Sequence, residues 1–391
     1  MVGSIVATAL VLGLRQLGIL QPLELKAFDG MMRMRPDEGT DPRLLLVTIT
    51  EKDIQNQNPQ ERRSASLADY ALARLLEKIK PHQPQVIGLD IYRDFAVAKE
   101  QSDLKAYLEQ ADNFVAVCEV GEGNENPGIS PPPEIASDRL SFSNVPLDTD
   151  GVIRRQLLGM AINYKSLCQT EIAFSLRVAQ LYLASQNISI AQTTQGHLKI
   201  GDVVFQKLQP NSGGYRQLDS WGFQILLNYR STNKIAQQVT LTEILNDYSD
   251  AKIAELVKNR IVLIGTIAPS FKDYFPTPYS TLGDPQEMPG LFIHAHMVSQ
   301  ILSAVEDKRP LLWYLPEWGE SLWIWGWNLL GGIIILYLRT PKNIVLVSIT
   351  YIFTLSLVCF LLLLQGGWLP LVPSVFAMMI TIGIIQAYKY N

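Results

Sequence analysis

The stretch RIVLIGTIAPSFKDYFPTP, residues 260–278, contains the features that decide the fold. Its first half is an almost continuous apolar run, which is typical of a strand buried on both faces of a parallel sheet. Its second half carries an isolated acid, Asp273, followed by Pro276 and Pro278. Because it lacks the glycines that wrap a phosphate, we interpret it as a strand, a turn and a proline-stiffened arm that returns toward the sheet.

Similar apolar runs recur through the first 310 residues and alternate with helical patterns. The strand-like runs are DPRLLLVTIT (41–50), QVIGLDIY (85–92) and NFVAVCEV (113–120). Between and after them, SLADYALARLLEKIK (66–80) and SLCQTEIAFSLRVAQLYLAS (166–185) place apolar residues at helical spacing. This alternation predicts an α/β fold with a mixed, largely parallel sheet and helices on both of its faces.

The carboxyl-terminal part of the chain has a different composition. From Ser321 onward only Arg339, Lys342 and Lys389 are charged, and there is no acid. Three segments approach or exceed the roughly 17–25 apolar residues that a hydrocarbon core requires, and tryptophans crowd their ends. The amino-terminal apolar stretch meets Arg15, which we interpret as snorkelling toward an interface. The alternative is a cleaved signal peptide, but no basic region precedes the stretch and no A-x-A site follows it. The sequence thus predicts four transmembrane helices, at residues 1–20, 321–338, 343–364 and 368–388.

Short loops predict the orientation. The loop at 337–343 carries Arg339 and Lys342, whereas the loop at 364–370 carries no charge. By the positive-inside rule the basic loop is cytoplasmic, and residues 21–310 lie outside the cytoplasm. We therefore expect a multi-pass protein of the inner (plasma) membrane, in contact with the lipid bilayer. A Cys118–Cys168 disulfide could form there. A domain of this size can be stable without a disulfide, however, and we favour two separate thiols.

Composition and motifs argue against several classes of function. The net charge of −4 gives no basic surface for nucleic acid. There is no G-x-G-x-x-G after a strand, no phosphate-binding loop and no G-x-S-x-G elbow, so we expect neither a cofactor nor a catalytic site. His294 and His296 lie in a helical segment, where their side chains diverge, and we expect no metal site. A hydrolase that uses Asp90 and Asp273 would lack a nucleophile or a metal set.

Acidic residues follow several of the predicted strands. Asp53, Asp90 and Asp273 lie at or just beyond the carboxyl ends of apolar runs, which is the edge where open α/β sheets bind ligands. We hypothesise that they line one pocket; the alternative is that each caps a helix or a turn. Asp90 is flanked by apolar residues and needs a partner, which we expect Arg154 or Arg155 to supply.

Five stretches together resemble the type-2 CHASE family (CHASE2), sensory domains of bacterial receptors that lie outside the cytoplasm. They are LKAFDGMMRMRP with DPRLLLVTITEKDI, then QVIGLDIYRDF, DTDGVIRRQLL, NRIVLIGTIAPSFKDYFPTP and MPGLFIHAHMVSQIL. The resemblance identifies residues 21–310 as an extracytoplasmic sensor domain. It also implies site residues: the family's Asp-Gly-x-x-Arg motif falls on Asp150, Gly151 and Arg154, its strand aspartate on Asp90, and its aspartate–proline arm on Asp273 and Pro276.

The resemblance implies the sensory input module of a bacterial signal-transduction receptor. Such a module detects an extracytoplasmic stimulus, an unidentified small-molecule or envelope ligand, and acts as a homodimer. It passes the stimulus through transmembrane helices to a cytoplasmic kinase or cyclase. No such effector is present in this chain, so it would lie in a missing carboxyl-terminal region or in a partner. The missing effector leaves an alternative: a non-signalling membrane scaffold or assembly protein whose outer domain binds protein or envelope polymer.

Overall fold

The computed structural model describes residues 2–121, 126–162, 165–280, 287–338 and 340–390. The chain divides by its contacts into two units, each formed from several segments. The helical unit comprises Met1–Pro36, Leu208–Ser220 and Pro310–Asn391, and the α/β unit comprises Asp37–Lys207 and Trp221–Arg309. Residues 21–36 and 208–220, which we had assigned to the sensor domain, are thus grouped with the helices.

Twelve α-helices and sixteen strands lie within the described residues. The strands are β1 (Leu44–Ile49), β2 (Val86–Asp90), β3 (Phe114–Val120), β4 (Gly128–Ile129), β5 (Leu140–Phe142), β6 (Arg155–Gly159), β7 (Ile190–Gln192), β8 (Leu198–Ile200), β9 (Val203–Phe205), β10 (Phe223–Leu226), β11 (Gln237–Thr240), β12 (Ile261–Thr266), β13 (Tyr274–Phe275), β14 (Met288–Pro289), β15 (Trp313–Tyr314) and β16 (Gly367–Trp368). The helices are α1 (Val2–Gln16), α2 (Gln21–Arg33), α3 (Glu51–Gln55), α4 (Pro59–Arg62), α5 (Asp69–Ile79), α6 (Ser102–Gln110), α7 (Phe174–Ala184), α8 (Asp250–Val257), α9 (Gly290–Glu306), α10 (Glu317–Leu336), α11 (Pro341–Leu363) and α12 (Val372–Tyr390).

The main sheet of the α/β unit is built around the strand in residues 260–278. Strand β12 lies between β1 and β2, and the order across the sheet is β11-β1-β12-β2-β3, with β4 and β5 both pairing with β3. Every pair in this sheet is parallel except β3 with β4. All residues of β1 and β12 are buried, as their continuous apolar runs require. The prediction of a mixed, largely parallel sheet is confirmed.

Helices cover both faces of this sheet. On one face α5 and α8 form an apolar core with residues of the strands, among them Val47, Ile87 and Ile264. The other face carries α7 and α9, and two strand glycines allow them to approach. A Cβ atom on Gly88 would lie 2.7 Å from the Phe174 ring, and one on Gly265 would lie 2.9 Å from Leu291. Glycine at these positions therefore sets the distance between helix and sheet.

Cys118 and Cys168 form a disulfide, with their Cα atoms 5.5 Å apart. Our preference for two separate thiols was wrong. Cys118 lies in β3, and Phe142 of the neighbouring β5 bridges to Ala173, so this part of the sheet draws the segment around Cys168 toward β3. Both cysteines belong to one small apolar cluster with Phe142, Leu157 and Ala173. The pairing depends on this tertiary arrangement, which the spacing of 50 residues does not reveal.

In the helical unit, α1 is shorter than the predicted segment 1–20. It ends at Gln16 and is followed by a turn in which Gly18 has a φ of +74°, a conformation that interrupts a right-handed helix. The next helix, α2, begins at Gln21 and is inclined to the first by 89°. The amino-terminal segment is therefore a bent pair of helices rather than one continuous helix.

Membrane-spanning capacity is clearest for one helix. Among the described residues only α11, Pro341–Leu363, is long and apolar enough by itself to cross a membrane, and the bent pair α1 and α2 would make a second span if counted as one. Residues Val372–Tyr388 form an apolar helix of shorter length. Four spans thus remain a prediction. Arg339, on which the predicted orientation partly depends, lies outside the described residues.

The helical unit buries several polar groups and exposes many large apolar ones. The Asn328 amide of α10 is fully buried and donates hydrogen bonds of 3.0 Å to the Ser4 carbonyl oxygen and 2.9 Å to Thr8 Oγ1 of α1. A Cβ atom on Gly332 would lie 2.8 Å from Ser4 Oγ, so this glycine lets α10 and α1 approach closely. The outward apolar side chains of α11 are Val345, Leu346, Ile349, Ile352, Phe353, Leu357 and Leu361.

Arg15, which we expect from the sequence to reach toward a membrane interface, is bonded inside the helical unit. Its Nη2 atom lies 2.6 Å from Glu320 Oε2 of α10, and the same oxygen accepts a hydrogen bond of 3.2 Å from Arg216. All three side chains are buried. Glu320 immediately precedes the acid-free segment, so the sequence pattern gave no counter-ion for Arg15; the partner comes from a residue 305 positions away.

Candidate functional site

A cavity of about 290 Å³ lies at the carboxyl-terminal edge of the main sheet in the α/β unit. It is bounded by residues that follow β2 and β12, by the beginning of α9 and by the chain around Ser143. The carboxyl ends of parallel strands are where open α/β sheets bind ligands, and this volume suits a small molecule. The lining residues used below are Ser64, Ser66, Asp90, Tyr92, Ser143, Phe271, Lys272, Asp273, Phe275, Gly290 and His294.

Two of the predicted acids, Asp90 and Asp273, meet in this cavity. Asp90 is the last residue of β2, and Asp273 lies seven positions beyond the end of β12, at the start of the arm in residues 273–276. Within the described part of the chain, neither carboxylate has a hydrogen bond or an ion pair to a protein group. The expected partners Arg154 and Arg155 do not line the cavity. The hypothesis of a shared pocket therefore holds for these two acids.

The arm that carries Asp273 is held by backbone contacts. Lys272 turns the chain with a φ of +55°, and residues Tyr274–Phe275 then pair with Met288–Pro289 as β13 and β14. The Gly290 nitrogen donates a 3.0 Å hydrogen bond to the Asp273 carbonyl oxygen. A Cβ atom at position 290 would lie 2.5 Å from Asp273 Oδ2, so glycine at the start of α9 leaves room for this carboxylate.

His294 of α9 completes the cavity, and sequence reasoning considered it only as a metal ligand. The imidazole is buried and packs edge-on against the Phe174 ring, with centroids 5.4 Å apart. It hydrogen bonds to the backbone of Ser143, whereas its Nδ1 atom has no partner among the described residues. No local pattern marks this role, because α9 brings His294 to Asp273 only through the tertiary fold.

Burial controls the ionisation of these three groups. It raises the pKa of Asp90 to about 7. Burial, together with the charge of Asp90, raises the pKa of Asp273 to about 6 although His294 opposes the rise. Burial also lowers the pKa of His294 to about 4, against the attraction of Asp273 and the bond to Ser143. At neutral pH the cavity thus holds a neutral imidazole and two acids that share between one and two negative charges.

The third predicted acid, Asp53, does not line the cavity. Its Oδ2 atom accepts hydrogen bonds from the nitrogen and hydroxyl of Thr50, at 2.8 and 2.6 Å, and forms a capping box at the start of α3. Its Oδ1 atom accepts from the nitrogen and hydroxyl of Thr242. The carboxylate is thus used within the fold, in the capping role that we had set against the ligand role.

Asp150, Gly151 and Arg154 form a separate network. The Arg154 guanidinium bonds to both Asp150 oxygens, at 2.8 and 2.9 Å, and to Asp148 Oδ2 at 2.8 Å. Although burial opposes it, the bonds and charge of Arg154 hold the pKa of Asp150 below its ordinary value. Gly151 has a φ of +79°, which explains a glycine there. Arg155 Nε bonds to Asp148 Oδ1 at 2.7 Å, so Asp148, which sequence reasoning missed, joins both arginines.

The two groups of predicted residues are connected through the backbone. The Ile153 nitrogen donates a 2.9 Å hydrogen bond to the Pro276 carbonyl oxygen. Pro276 ends the arm that begins with Asp273, and Ile153 lies between Gly151 and Arg154. The Asp148–Arg154 network is therefore a brace for the arm rather than part of the cavity wall.

His294 and His296 do not act together. His296 Nδ1 accepts a hydrogen bond of 3.3 Å from the Arg230 nitrogen, and its ring packs against Tyr229, whereas His294 faces the cavity. In the residues that the structure describes, no group of three or more His, Cys, Asp or Glu side chains could hold a metal ion.

We expect the stability of the α/β unit to fall as the pH rises from about 4 to 8. The pKa of Asp90 in the folded chain, about 7, exceeds its ordinary value, so Asp90 contributes stability below its ordinary pKa, and this is lost as the pH rises through 7. Asp90→Asn should remove most of this fall and increase the free energy of unfolding at pH 8 by about 1–3 kcal/mol. Urea unfolding of the full chain in detergent, followed by far-ultraviolet circular dichroism at pH 5 and pH 8, measures it.

The matched control is Asp112→Asn, at an exposed acid in the turn before β3. This substitution should leave the difference between pH 5 and pH 8 unchanged. A wild-type chain that is equally stable at both pH values would contradict burial of an ionisable Asp90.

A largely parallel sheet with two acids in a cavity at its carboxyl edge, on a chain that also carries a unit of apolar helices, defines an α/β domain with a site for a small ligand. The chain belongs to the CHASE2 domain family, whose model matches residues 6–333. This match confirms the resemblance seen in the sequence, and CHASE2 domains are sensory domains of signalling receptors. Neither the curated proteins nor the solved structures gave a match to this chain.

Proposed function

We propose that this chain is the membrane-anchored input module of a receptor, in which the α/β unit lies outside the cytoplasm and binds its stimulus in the Asp90–Asp273 cavity. The helical unit then passes the stimulus to a cytoplasmic kinase, cyclase or partner protein, with the chain acting as a homodimer. The observation that carries this proposal is the cavity itself, because its two half-buried acids have no donor in the described chain and a ligand would supply one.

The helical unit supports membrane anchoring by its distribution of side chains. Asn328, Ser4 and Thr8 are buried within it, whereas Leu346 and Phe353 project outward. A unit in water would bury its large apolar residues, and lipid removes that requirement. The exposed apolar surface of α11 is therefore a candidate lipid contact, in agreement with the spanning capacity of this helix.

Two observations support the placement of the α/β unit outside the cytoplasm. The disulfide between Cys118 and Cys168 is of a kind that persists in oxidising compartments and is rare in the cytosol. The basic residues of loop 337–343 favour a cytoplasmic position for that loop, which leaves the α/β unit on the opposite side if α10 spans the membrane.

Two measurements test the proposal: the side of the membrane on which labelled positions lie, and the activity of a fused reporter kinase. In a Cys359→Ser background, Ser185→Cys after α7 should react with a membrane-impermeant maleimide in intact spheroplasts. Lys342→Cys should react only after permeabilisation. Both positions are exposed. The reverse labelling pattern would contradict the orientation.

For output, a reporter kinase is fused after Asn391. The Asp90→Asn/Asp273→Asn double variant should change its activity, because removal of both charges alters the state that the cavity favours, whereas Asp112→Asn should not. Unchanged output with a folded double variant would favour a scaffold that transmits nothing.

A further inference from the structure

Three side chains that line the Asp90–Asp273 cavity offer hydrogen-bond acceptors that have no donor among the described residues. Asp90 and Asp273 contribute carboxylate oxygens that have no donor among the described residues. Buried acids elsewhere in the α/β unit differ: Asp69 accepts from Arg93 and from the Ala98 nitrogen, and Asp53 and Asp148 are bonded as described above. Since hydrogen bonds to a carboxylate are stronger than those between neutral groups, these half-buried oxygens favour a ligand that brings donors.

His294 adds a third acceptor to the same wall. The Ser143 nitrogen donates to the Cys118 carbonyl oxygen, so the bond between His294 and the Ser143 backbone uses the Ser143 carbonyl oxygen and an imidazole N–H group. Because Nδ1 has no partner in the described chain, the N–H group is on Nε2. A neutral imidazole in this tautomer leaves Nδ1 with a lone pair to accept a hydrogen bond.

The remaining walls suit a cation. Tyr92, Phe271 and Phe275 line the cavity with aromatic rings, whose faces attract ammonium and guanidinium groups. The Tyr92 hydroxyl is already bonded to Ser143 Oγ at 2.6 Å. Lys272 also belongs to the lining, but this residue is exposed and forms no ion pair with Asp90 or Asp273 in the described chain.

We propose that this cavity binds a small organic cation, a molecule with a protonated amine or guanidinium group that donates to Asp90, Asp273 and His294 Nδ1. The inference rests on the proposed function and names the chemical class of its stimulus. Serine hydroxyls from Ser64, Ser66 and Ser143 at the rim provide further polar contacts for a hydroxyl or amide elsewhere in the same molecule.

Binding of such a cation depends on pH in a defined direction. A cation attracts the ionised acids, whose pKa values are about 6 and about 7, so its affinity rises with pH until both are ionised. A simple amine stays protonated throughout this range. The titratable and charged groups that face this pair are Tyr92, Lys272, Tyr274 and His294, and Glu119 acts on Tyr92.

The test uses the full chain in lipid nanodiscs and three pairs of probes with matched shape. The pairs are benzylamine with benzyl alcohol, cyclohexylamine with cyclohexanol, and 1,4-diaminobutane with 1,4-butanediol. Isothermal titration calorimetry at pH 7.5 should give at least one amine that binds about tenfold or more tightly than its alcohol. For that amine the affinity should fall, approaching about tenfold per unit, as the pH is lowered from 7 to 5.5.

The Asp90→Asn/Asp273→Asn double variant should bind amine and alcohol alike, and Asp112→Asn should bind as the wild type does. If circular dichroism shows that the double variant is unfolded, the pH dependence of amine binding to the wild-type chain still tests the proposal. Equal affinity for amine and alcohol in every pair, or an amine affinity that increases toward pH 5.5, would overturn the proposal. If the proposal is overturned in this way but the Asp90→Asn/Asp273→Asn substitutions still change the activity of the fused reporter kinase, the ligand class is wrong and the sensory function stands.

Discussion

Asp148→Ala is expected to lower the free energy of unfolding of the α/β unit by about 3–5 kcal/mol. Asp148 is buried, and its two oxygens bond to the buried guanidinium groups of Arg154 and Arg155 at 2.8 and 2.7 Å. Its removal leaves two desolvated guanidinium groups with fewer counter-ions. Removal of one partner of a buried ion pair is strongly destabilising because the other charge stays buried. Urea unfolding of the full chain in detergent, followed by far-ultraviolet circular dichroism, measures the change.

The control is Asp150→Ala in the same loop. The Asp150 side chain is 41% exposed, and Arg154 keeps Asp148 when it is removed. We therefore expect a loss of about 1 kcal/mol or less. The comparison is sharp because the family motif contains Asp150, whereas the structure gives the larger energetic role to Asp148. Equal losses for the two variants, or a larger loss for Asp150→Ala, would contradict this assignment.

Asp148→Ala should also weaken the cavity indirectly. The Asp148–Arg154 network positions Ile153, whose nitrogen bonds to the Pro276 carbonyl oxygen on the arm that carries Asp273. A loosened arm should lower the affinity for amines in the pH 7.5 titration while leaving the preference for amine over alcohol intact. Loss of that preference itself is the expected result only when Asp90 and Asp273 are changed.

The sheet and two of its pocket acids were predictable because the signals are local. Strands buried on both faces must be apolar throughout, so β1, β2 and β12 are visible in the sequence. Parallel strands end at one common edge, so acids that follow such strands meet there. Asp90 and Asp273 satisfy this rule. Asp53 follows a strand too, but the spacing of Thr50 and Asp53 is that of a capping box, and this pattern could have separated it from the others.

The rest depends on contacts between distant parts of the chain. His294 reaches Asp273 because β14 and the start of α9 return to the sheet edge. The sequence pattern of α9 does not predict this proximity. The disulfide depends on the arrangement around β3 and β5. The helix breaks at Gly18 instead of continuing to Leu20 because one glycine adopts a positive φ, which is permitted for any glycine and required of none.

Glu320→Ala is expected to destabilise the helical unit by about 3–5 kcal/mol. Glu320 Oε2 bonds to Arg15 at 2.6 Å and to Arg216 at 3.2 Å, and the side chains of all three residues are at most 6% exposed. Arg15 also attracts the buried Glu24, whose carboxylate accepts hydrogen bonds from the nitrogens of Leu371 and Val372 at the start of α12. Arg15 and Arg216 thus share the Glu320 carboxylate, and the substitution removes this counter-ion from both.

Tryptophan fluorescence reports almost exclusively on the helical unit. Of the seven tryptophans, only Trp221 belongs to the α/β unit, and Trp221→Phe removes it. In that background, thermal unfolding in lipid nanodiscs should show a clear drop in melting temperature for Glu320→Ala and a smaller one for Glu320→Gln, which keeps an acceptor oxygen. Glu317→Ala, at an exposed acid one turn earlier in α10, should change the free energy of unfolding by within about 0.5 kcal/mol.

The position of Arg216 makes the cluster relevant to signalling. Residues 208–220 belong to the helical unit, yet the chain enters them from Lys207 and leaves them to Trp221, both in the α/β unit. Arg216 fixes this segment to α10 through Glu320, and to its own turn through the Gly213 carbonyl oxygen at 2.9 Å. If this attachment transmits the stimulus, a reporter kinase fused to Glu320→Gln should lose its response to Asp90→Asn/Asp273→Asn while retaining basal activity. A full response in a folded Glu320→Gln chain would assign the cluster to stability alone.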